Sequence, residues 1–130
     1  MSSIFSKIIA GAIPSYKIAE SEDCYAFLDI TPLAKGHTLV VPKKETDYLF
    51  DIADPSYTSL LLFSKKVAAA LKKSIPCNRI GVAVVGLEVP HAHIHLIPIN
   101  HISDMSFSKP RLEITSQEFE QIAKSIREVF

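Results

Sequence analysis

Three of the five histidines of this chain stand at alternate positions, as His91, His93 and His95. The run around them reads Val-Pro-His-Ala-His-Ile-His-Leu-Ile-Pro, so a small or apolar residue follows each histidine. In an extended strand the side chains alternate between the two faces, which would place the three imidazoles together on one face. Imidazole changes charge near neutral pH and can act as a nucleophile, a proton donor or a metal ligand. The sequence therefore predicts that this face carries the function.

Two chemical uses of the row are open. In phosphoryl chemistry a neutral imidazole attacks phosphorus while protonated neighbours hold the phosphate oxygens and protonate the leaving group, and His93 is best placed as the nucleophile. Turnover should then fall when rising pH removes the proton of the donor histidine. In metal binding, His91 and His95 would lie about 13 Å apart along a strand, too far to share one ion with bonds of about 2 Å without a bulge.

The segments around the row predict an α+β fold with a largely antiparallel five-stranded sheet. The row itself is expected to be a strand, next to an apolar strand that precedes it in the chain. His37 opens another strand, rich in β-branched residues and closed by proline. The four strands expected besides the row cover residues 16–20, 24–28, 37–41 and 80–85.

Helical signals predict one long helix and two shorter ones. The long helix is expected to begin with Asp54 as the capping residue and Pro55 at the first helical position, and to end near Lys73. The shorter helices are expected at residues 4–10 and 116–128. The apolar residues of the long helix that are expected to face the core are Tyr57, Leu60, Leu61, Val67, Ala68 and Leu71.

Length and composition indicate one globular domain over residues 1–130, with 48% hydrophobic residues. Fourteen basic and fourteen acidic residues cancel, which argues against a nucleic acid as partner. The N-terminal stretch is too short and interrupted for a secretory signal, and no later stretch approaches a membrane span. We therefore expect a cytoplasmic protein with no membrane partner.

Four segments, in order along the chain, resemble the histidine triad (HIT) family of nucleotide hydrolases and transferases. The row His91–Ile97 resembles the defining motif, in which an apolar residue follows each of three histidines. Ile4–Pro14 resembles the family's opening segment, and Ala26–Ile30 and Gly36–Lys43 resemble its central strands. A third histidine at His95 is similar to the Hint-like hydrolase branch, whereas the galactose-1-phosphate uridylyltransferase branch carries glutamine there.

The resemblance implies hydrolysis of purine nucleotide phosphoramidates or related nucleotide phosphoesters through a covalent nucleotidyl-histidine. In this scheme His93 attacks the α-phosphorus, and His95 serves the leaving group and the phosphate. His91 orients the site, and His37 joins the network from an adjacent strand. No metal and no other cofactor is expected. The resemblance also implies a homodimer whose two sheets join into one.

A nucleotide pocket is also implied by the resemblance. Asp29 matches the acid that bonds the ribose hydroxyls. The expected apolar walls of the base pocket are Phe27, Ile30, Ile8 and Phe5, although ordinary core packing would explain each of them equally well.

Two departures from the family pattern concern possible site residues. Ser3, Ser6 and Glu45 stand where many bacterial relatives carry the ligands of a structural zinc site, so that site is expected to be absent. Leu87 and Glu88 stand where relatives often carry a glutamine and a hydroxyl residue. Glu88 either pairs with a cationic substrate or a triad histidine, or faces solvent. The alternatives are a nucleotide-binding or signalling module with little catalysis, and a metal-dependent enzyme that uses the row.

Overall fold

One five-stranded antiparallel sheet organises the computed structural model, which describes residues 2–130. The strands are β1 (Lys17–Glu20), β2 (Cys24–Leu28), β3 (Thr38–Pro42), β4 (Arg79–Ala83) and β5 (Ile94–Ile99). Their order across the sheet is β1-β2-β3-β5-β4. The helices are α1 (Ile4–Ile9), α2 (Asp54–Ser74) and α3 (Ser116–Glu128), with 3-10 turns at Leu49–Asp51 and Ile102–Met105. The expected α+β class, with one long helix and two shorter ones, is confirmed.

The sheet separates two apolar clusters. The larger cluster packs under α2 and α3 and includes Ala92, Ile94 and Leu96, each 1% exposed. The smaller cluster lies on the opposite face, where Phe5 of α1 packs against Phe27 and its neighbours on β2 and β3. The side chains of β5 alternate between these two environments, so the histidine side of the strand faces the smaller cluster and α1.

The histidine row is less regular than the sequence predicts, because β5 begins only at Ile94. His91 and His93 therefore precede the strand instead of belonging to it. The cause is a bond made outside the sheet: the Ala92 N–H donates to the carbonyl of Thr46 at 2.7 Å. Only His95 stands in a paired position, opposite Leu39 of β3 and Ala83 of β4.

The strand that was expected to open at His37 also begins one residue later, at Thr38. A turn explains the difference, since the His37 N–H donates to the carbonyl of Ala34 at 3.0 Å. Gly36 has φ of 91°, in the left-handed region that favours glycine. A Cβ at this position would lie 3.0 Å from the Ile75 side chain, so both the backbone and the space favour glycine there. This turn fixes the place of the His37 ring.

The start of α2 differs from the expected cap. Ala53 is the capping residue and makes no side-chain cap bond, whereas Asp54 lies in the first turn beside Pro55. Asp54 therefore contributes through its charge near the positive end of the helix dipole. Leu61 was expected to face the core but is 41% exposed, because the neighbouring Leu60 occupies the buried side.

Two further boundaries are shorter than expected. α1 ends at Ile9, and β4 ends at Ala83, so Val84 and Val85 lie in the loop that follows. The predicted pairing of β4 with the histidine strand is confirmed, and it leaves β4 at the edge of the sheet. Across residues 2–130, no helix has both the length and the apolar character needed to cross a bilayer.

Candidate active site

A cavity of about 550 Å³ opens on the α1 side of the sheet. This volume suits a small-molecule ligand. The expected site residues that line it are His93, His95, Asp29, Glu88, Phe5, Ile8, Phe27 and Ile30. His91 and His37 do not line it; they lie behind the lining and are 0% and 1% exposed. The structure thus brings eight of the ten expected residues to one cavity.

His93 is held by the backbone of the same row. Its Nδ1 lies 2.8 Å from the carbonyl oxygen of His91, and because a carbonyl only accepts, Nδ1 must carry the proton. In the neutral ring, Nε2 then keeps its lone pair. The Phe5 ring packs edge-on against the imidazole with ring centres 4.9 Å apart. His93 thus offers the cavity a fixed nucleophilic nitrogen.

His95 has the opposite arrangement of its proton, and His37 sets it. The Leu33 N–H donates to His37 Nδ1 at 3.0 Å, so the proton of the neutral His37 ring is on Nε2. That N–H donates to His95 Nδ1, also at 3.0 Å. The neutral His95 ring must then carry its own proton on Nε2. His95 therefore offers the cavity a donor beside the His93 lone pair, with the two ring centres 4.9 Å apart.

Burial keeps the rings of His37 and His95 neutral near pH 7. It lowers the pKa of His37 to about 3, with the Arg111 charge as the next cause. The pKa of His95 is also lowered to about 3, first by burial and then by His93 and His37. The expected protonated donors are therefore wrong for the unliganded protein. In the unliganded protein His95 donates as a neutral ring, so rising pH near neutrality does not remove its proton. The expected loss of turnover at higher pH stays a prediction.

The His91 ring does not share the cavity with the other two. Its Nε2 donates to the carbonyl of Pro42 at 2.8 Å, and in the neutral ring its Nδ1 accepts from the Ser3 hydroxyl at 2.7 Å. Burial lowers the pKa of His91. Because these bonds turn the ring toward α1 and the end of β3, only the His91 carbonyl reaches the site, through His93 Nδ1.

Ser3, Ser6 and Glu45 form one hydrogen-bonded cluster behind His91, which we call the α1 anchor. The Ser3 N–H and the Ser6 hydroxyl both donate to Glu45 Oε1 at 2.7 Å. These bonds, led by that of the Ser3 backbone, lower the pKa of the Glu45 carboxyl to about 2. Ser3 Oγ also accepts from the Ser6 N–H at 3.0 Å and caps α1. The anchor therefore ties the start of α1 to His91.

Asp29, His37 and His95 are the described residues that could hold a metal ion. One ligand atom of each lies within 4.8 Å of the others. The set differs from the row considered in the sequence, since it contains one triad histidine. His37 Nε2 and His95 Nδ1 already share a proton, and Asp29 Oδ2 lies 3.6 Å from His37 Nε2. An ion bound by all three would have to displace that proton.

The expected pair Leu87 and Glu88 lies at the rim of the cavity. Leu87 is 89% exposed, and Glu88 is also exposed. Within residues 2–130, no basic group forms an ion pair with Glu88. The exposure of Glu88 fits the solvent-facing role, and its pairing with a cationic substrate stays a prediction.

Phe107 and Arg111 line the cavity as well, and they come from a loop near the C-terminus. Phe107 packs edge-on against His95 with ring centres 4.9 Å apart. The Arg111 guanidinium lies 5.7 Å from the centre of the Phe107 ring and donates to the carbonyl of Thr31 at 2.7 Å. The sequence assigns neither residue to the site, because only the fold brings this loop to the histidines.

Comparison with known proteins agrees with this architecture. Residues 10–102 match the family described as "HIT domain". The adenosine 5'-monophosphoramidase of Schizosaccharomyces pombe is 34% identical over 97% of this chain and 96% of its own length. That of Saccharomyces cerevisiae is 42% identical over 73% of this chain and 61% of its own length.

A solved structure extends the likeness to almost the whole chain. The crystal structure of a Hit-like protein from Bartonella henselae, described as involved in cell-cycle regulation, superimposes with a TM-score of 0.86. It is 32% identical and covers 99% of this chain and 96% of its own chain. With the sheet, the histidine site and these relatives in agreement, the chain belongs to the HIT family.

Proposed function

We propose that this protein hydrolyses purine nucleotide phosphoramidates or related nucleotide phosphoesters through a covalent nucleotidyl-histidine. The observation that carries the proposal is the opposite protonation of two neighbouring rings, His93 and His95. One presents a lone pair on Nε2 and the other a proton on Nε2, each set by a separate hydrogen bond. The adenosine 5'-monophosphoramidases among the relatives support the substrate class.

The reaction proceeds in two steps. In the first step, His93 Nε2 attacks the α-phosphorus, the bond from phosphorus to the leaving group breaks, and the leaving group takes the His95 Nε2 proton. The positive charge that forms on the substituted His93 ring offsets the loss of that proton. In the second step, water attacks phosphorus, the bond to His93 breaks, and a water proton returns to His95. Both rings end in their starting forms.

The pocket walls provide the nucleotide site. Phe5 and Phe27 pack edge-to-face with ring centres 5.6 Å apart and, with Ile8 and Ile30, form the apolar part that takes the base. Asp29 bonds the ribose hydroxyls through its carboxylate, which the backbone N–H of Thr31 holds at 2.8 Å. A nucleotide bound in this way has its phosphate group toward His93 and His95.

Replacing the nucleophile tests the proposal. His93→Ala should abolish turnover of an adenosine phosphoramidate, with a loss of at least about 1000-fold, while AMP binding measured by calorimetry is retained. His101→Ala, which changes an exposed histidine outside the cavity, is the matched control. Turnover by His93→Ala at the wild-type rate would disprove the assignment.

A second candidate function is nucleotide binding with little catalysis. The observation in its favour is Leu87, an exposed apolar residue at the rim that cannot donate a hydrogen bond. The same measurements decide between the two functions. AMP binding by the wild-type protein without any turnover of a phosphoramidate would support the binding module.

Metal dependence is tested separately. We expect full turnover after dialysis against a chelator, because His37 Nε2 and His95 Nδ1 are committed to each other by a hydrogen bond. Loss of activity on dialysis, with recovery when Zn²⁺ is added, would favour the metal-dependent alternative.

An exposed edge of the sheet supports the expected homodimer. The edge strand β4 exposes Val82, and an unpaired edge of this kind can pair with a second copy. We propose a single domain over residues 1–130 that forms a homodimer with β4 paired to β4, in the cytoplasm, where its two free thiols stay reduced. Sedimentation should show a dimer that Val82→Lys weakens; a wild-type monomer at micromolar concentration would contradict this.

A further inference from the structure

The cavity has an uneven set of charges for an anionic ligand. Its lining includes the acidic residues Asp29 and Glu88, and Arg111 is the only lysine or arginine among the described residues that line it. A nucleotide phosphate is negative, and the two carboxylates do nothing to balance that charge. A compensating positive charge has to come from elsewhere in the lining.

His37 and His95 do not supply that positive charge in the unliganded protein. Burial lowers the pKa of His37 and His95 to about 3, so both rings are neutral near pH 7. An arginine side chain stays charged at every physiological pH. The Arg111 charge already influences both rings, since it contributes to the lowered pKa of each.

The guanidinium is also held in place. One of its N–H groups donates to the carbonyl of Thr31 at 2.7 Å. Its Cζ lies 5.7 Å from the centre of the Phe107 ring, which also packs against His95 and His37. Within residues 2–130 this is the one hydrogen bond of the Arg111 side chain. A guanidinium has five N–H donors, so the others are left for a ligand.

We infer that Arg111 binds the phosphate group of the nucleotide and gives the cavity its preference for phosphorylated nucleosides over free nucleosides. This inference rests on the proposed function, because it takes a nucleotide as the ligand. It makes Arg111 a binding residue for the substrate. An arginine suits this task because its planar fork can donate two parallel hydrogen bonds to phosphate oxygens.

Calorimetry with AMP and adenosine tests the inference. Arg111→Gln should weaken AMP binding by about 10- to 100-fold, the usual effect of losing a charge-assisted hydrogen bond, and should leave adenosine binding within about 2-fold of the wild-type value. Lys109→Gln removes the same charge two residues away, from a side chain outside the cavity lining. It should leave the affinity for AMP and for adenosine unchanged. Arg111 is exposed, and thermal unfolding checks that its variant is folded.

Each other outcome has a definite meaning. An equal loss for AMP and adenosine would show that Arg111 acts by packing, and unchanged AMP binding would show that it makes no phosphate contact; both results overturn the inference. If these occur while the wild-type protein still turns over a phosphoramidate, the proposed function stands. A wild-type protein that neither binds AMP nor turns over a phosphoramidate would overturn both.

Discussion

His93 and His95 are neighbouring imidazoles with opposite tasks, since one must present a lone pair and the other a proton. A backbone carbonyl fixes the first, and a carbonyl cannot change from acceptor to donor. The second depends on His37, whose own proton is placed by the Leu33 N–H. The alternating pattern predicts neither arrangement, because the partner of His93 is a backbone carbonyl and the partner of His95 is His37, 58 residues away in the sequence.

The role of His37 as a positioning residue leads to a kinetic prediction. His37→Phe removes the bond to His95 Nδ1, so the proton of His95 is no longer confined to Nε2. We expect kcat for an adenosine phosphoramidate to fall about 10- to 100-fold, while KM changes little because His37 does not line the cavity.

His37→Gln is the conservative comparison. Its amide can accept from the Leu33 N–H and donate to His95, so part of the lost kcat should return. A purely structural role would instead give equal losses for both variants, with matching losses of thermal stability and an increase in KM.

At the level of elements, α1 holds the apolar wall of the pocket and is secured by the α1 anchor. Phe5 contacts the rings of His91 and His93, and Ser3 bonds His91 directly. The first helix and the histidine row are thus joined by packing on one side and by hydrogen bonds on the other. A substitution in the α1 anchor should therefore lower the free energy of unfolding more than it lowers the rate of turnover.

Ser3→Ala tests the α1 anchor. The change removes the cap of α1 and leaves His91 Nδ1 without its partner, so the free energy of unfolding should fall by about 1 to 2 kcal/mol. Urea denaturation measures the difference. Ser2→Ala, a change at the exposed residue next to it, is the control. Equal stability of Ser3→Ala and the wild-type protein would mean that the anchor does not secure α1.

The strands and helices could be predicted well from local pattern, because alternation, capping residues and prolines act over short distances. The strands β1 and β2 and the pairing of β4 with β5 follow from such signals. The first part of the row, His91–His93, is not a strand because the Ala92 N–H donates to the carbonyl of Thr46 in a distant loop. The place of Arg111 likewise depends on a bond to Thr31, 80 residues away. Contacts between residues so far apart in the sequence leave no local pattern from which they could be predicted.

At the level of the whole molecule, the sheet divides a structural face from a functional one. α2 and α3 cover the larger apolar cluster, while the opposite face carries the cavity and the buried histidines. The functional face thus contains imidazole rings that burial keeps neutral. At low pH, where a solvent-exposed imidazole would be protonated, this burial lowers the free energy of unfolding.

Lowering the pH should therefore destabilise the protein already at pH values above those at which its carboxylates take up protons. The folded pKa of His37 and of His95 is about 3, against about 6.5 in the unfolded chain, so the unfolded state binds more protons once the pH falls below about 6.5. The free energy of unfolding should then fall by up to about 1.4 kcal/mol per pH unit for each ring.

Glu20 and Glu45, whose pKa values are lowered to about 2, add to this loss only below about pH 4.5. Urea denaturation between about pH 7 and pH 5 therefore isolates the histidines, and His37→Phe should show a shallower decline. A free energy of unfolding that stays constant over this range would contradict the neutral, buried rings.

The central claim is that His93 forms the covalent bond to the nucleotide. The most direct measurement is mass spectrometry of the protein quenched at alkaline pH during turnover of an adenosine phosphoramidate, followed by peptide mapping of the modified residue. The account predicts an adenylyl group on His93, absent from His93→Ala. An adenylyl group on any other residue, or rapid turnover with no modified protein at any time, would contradict it.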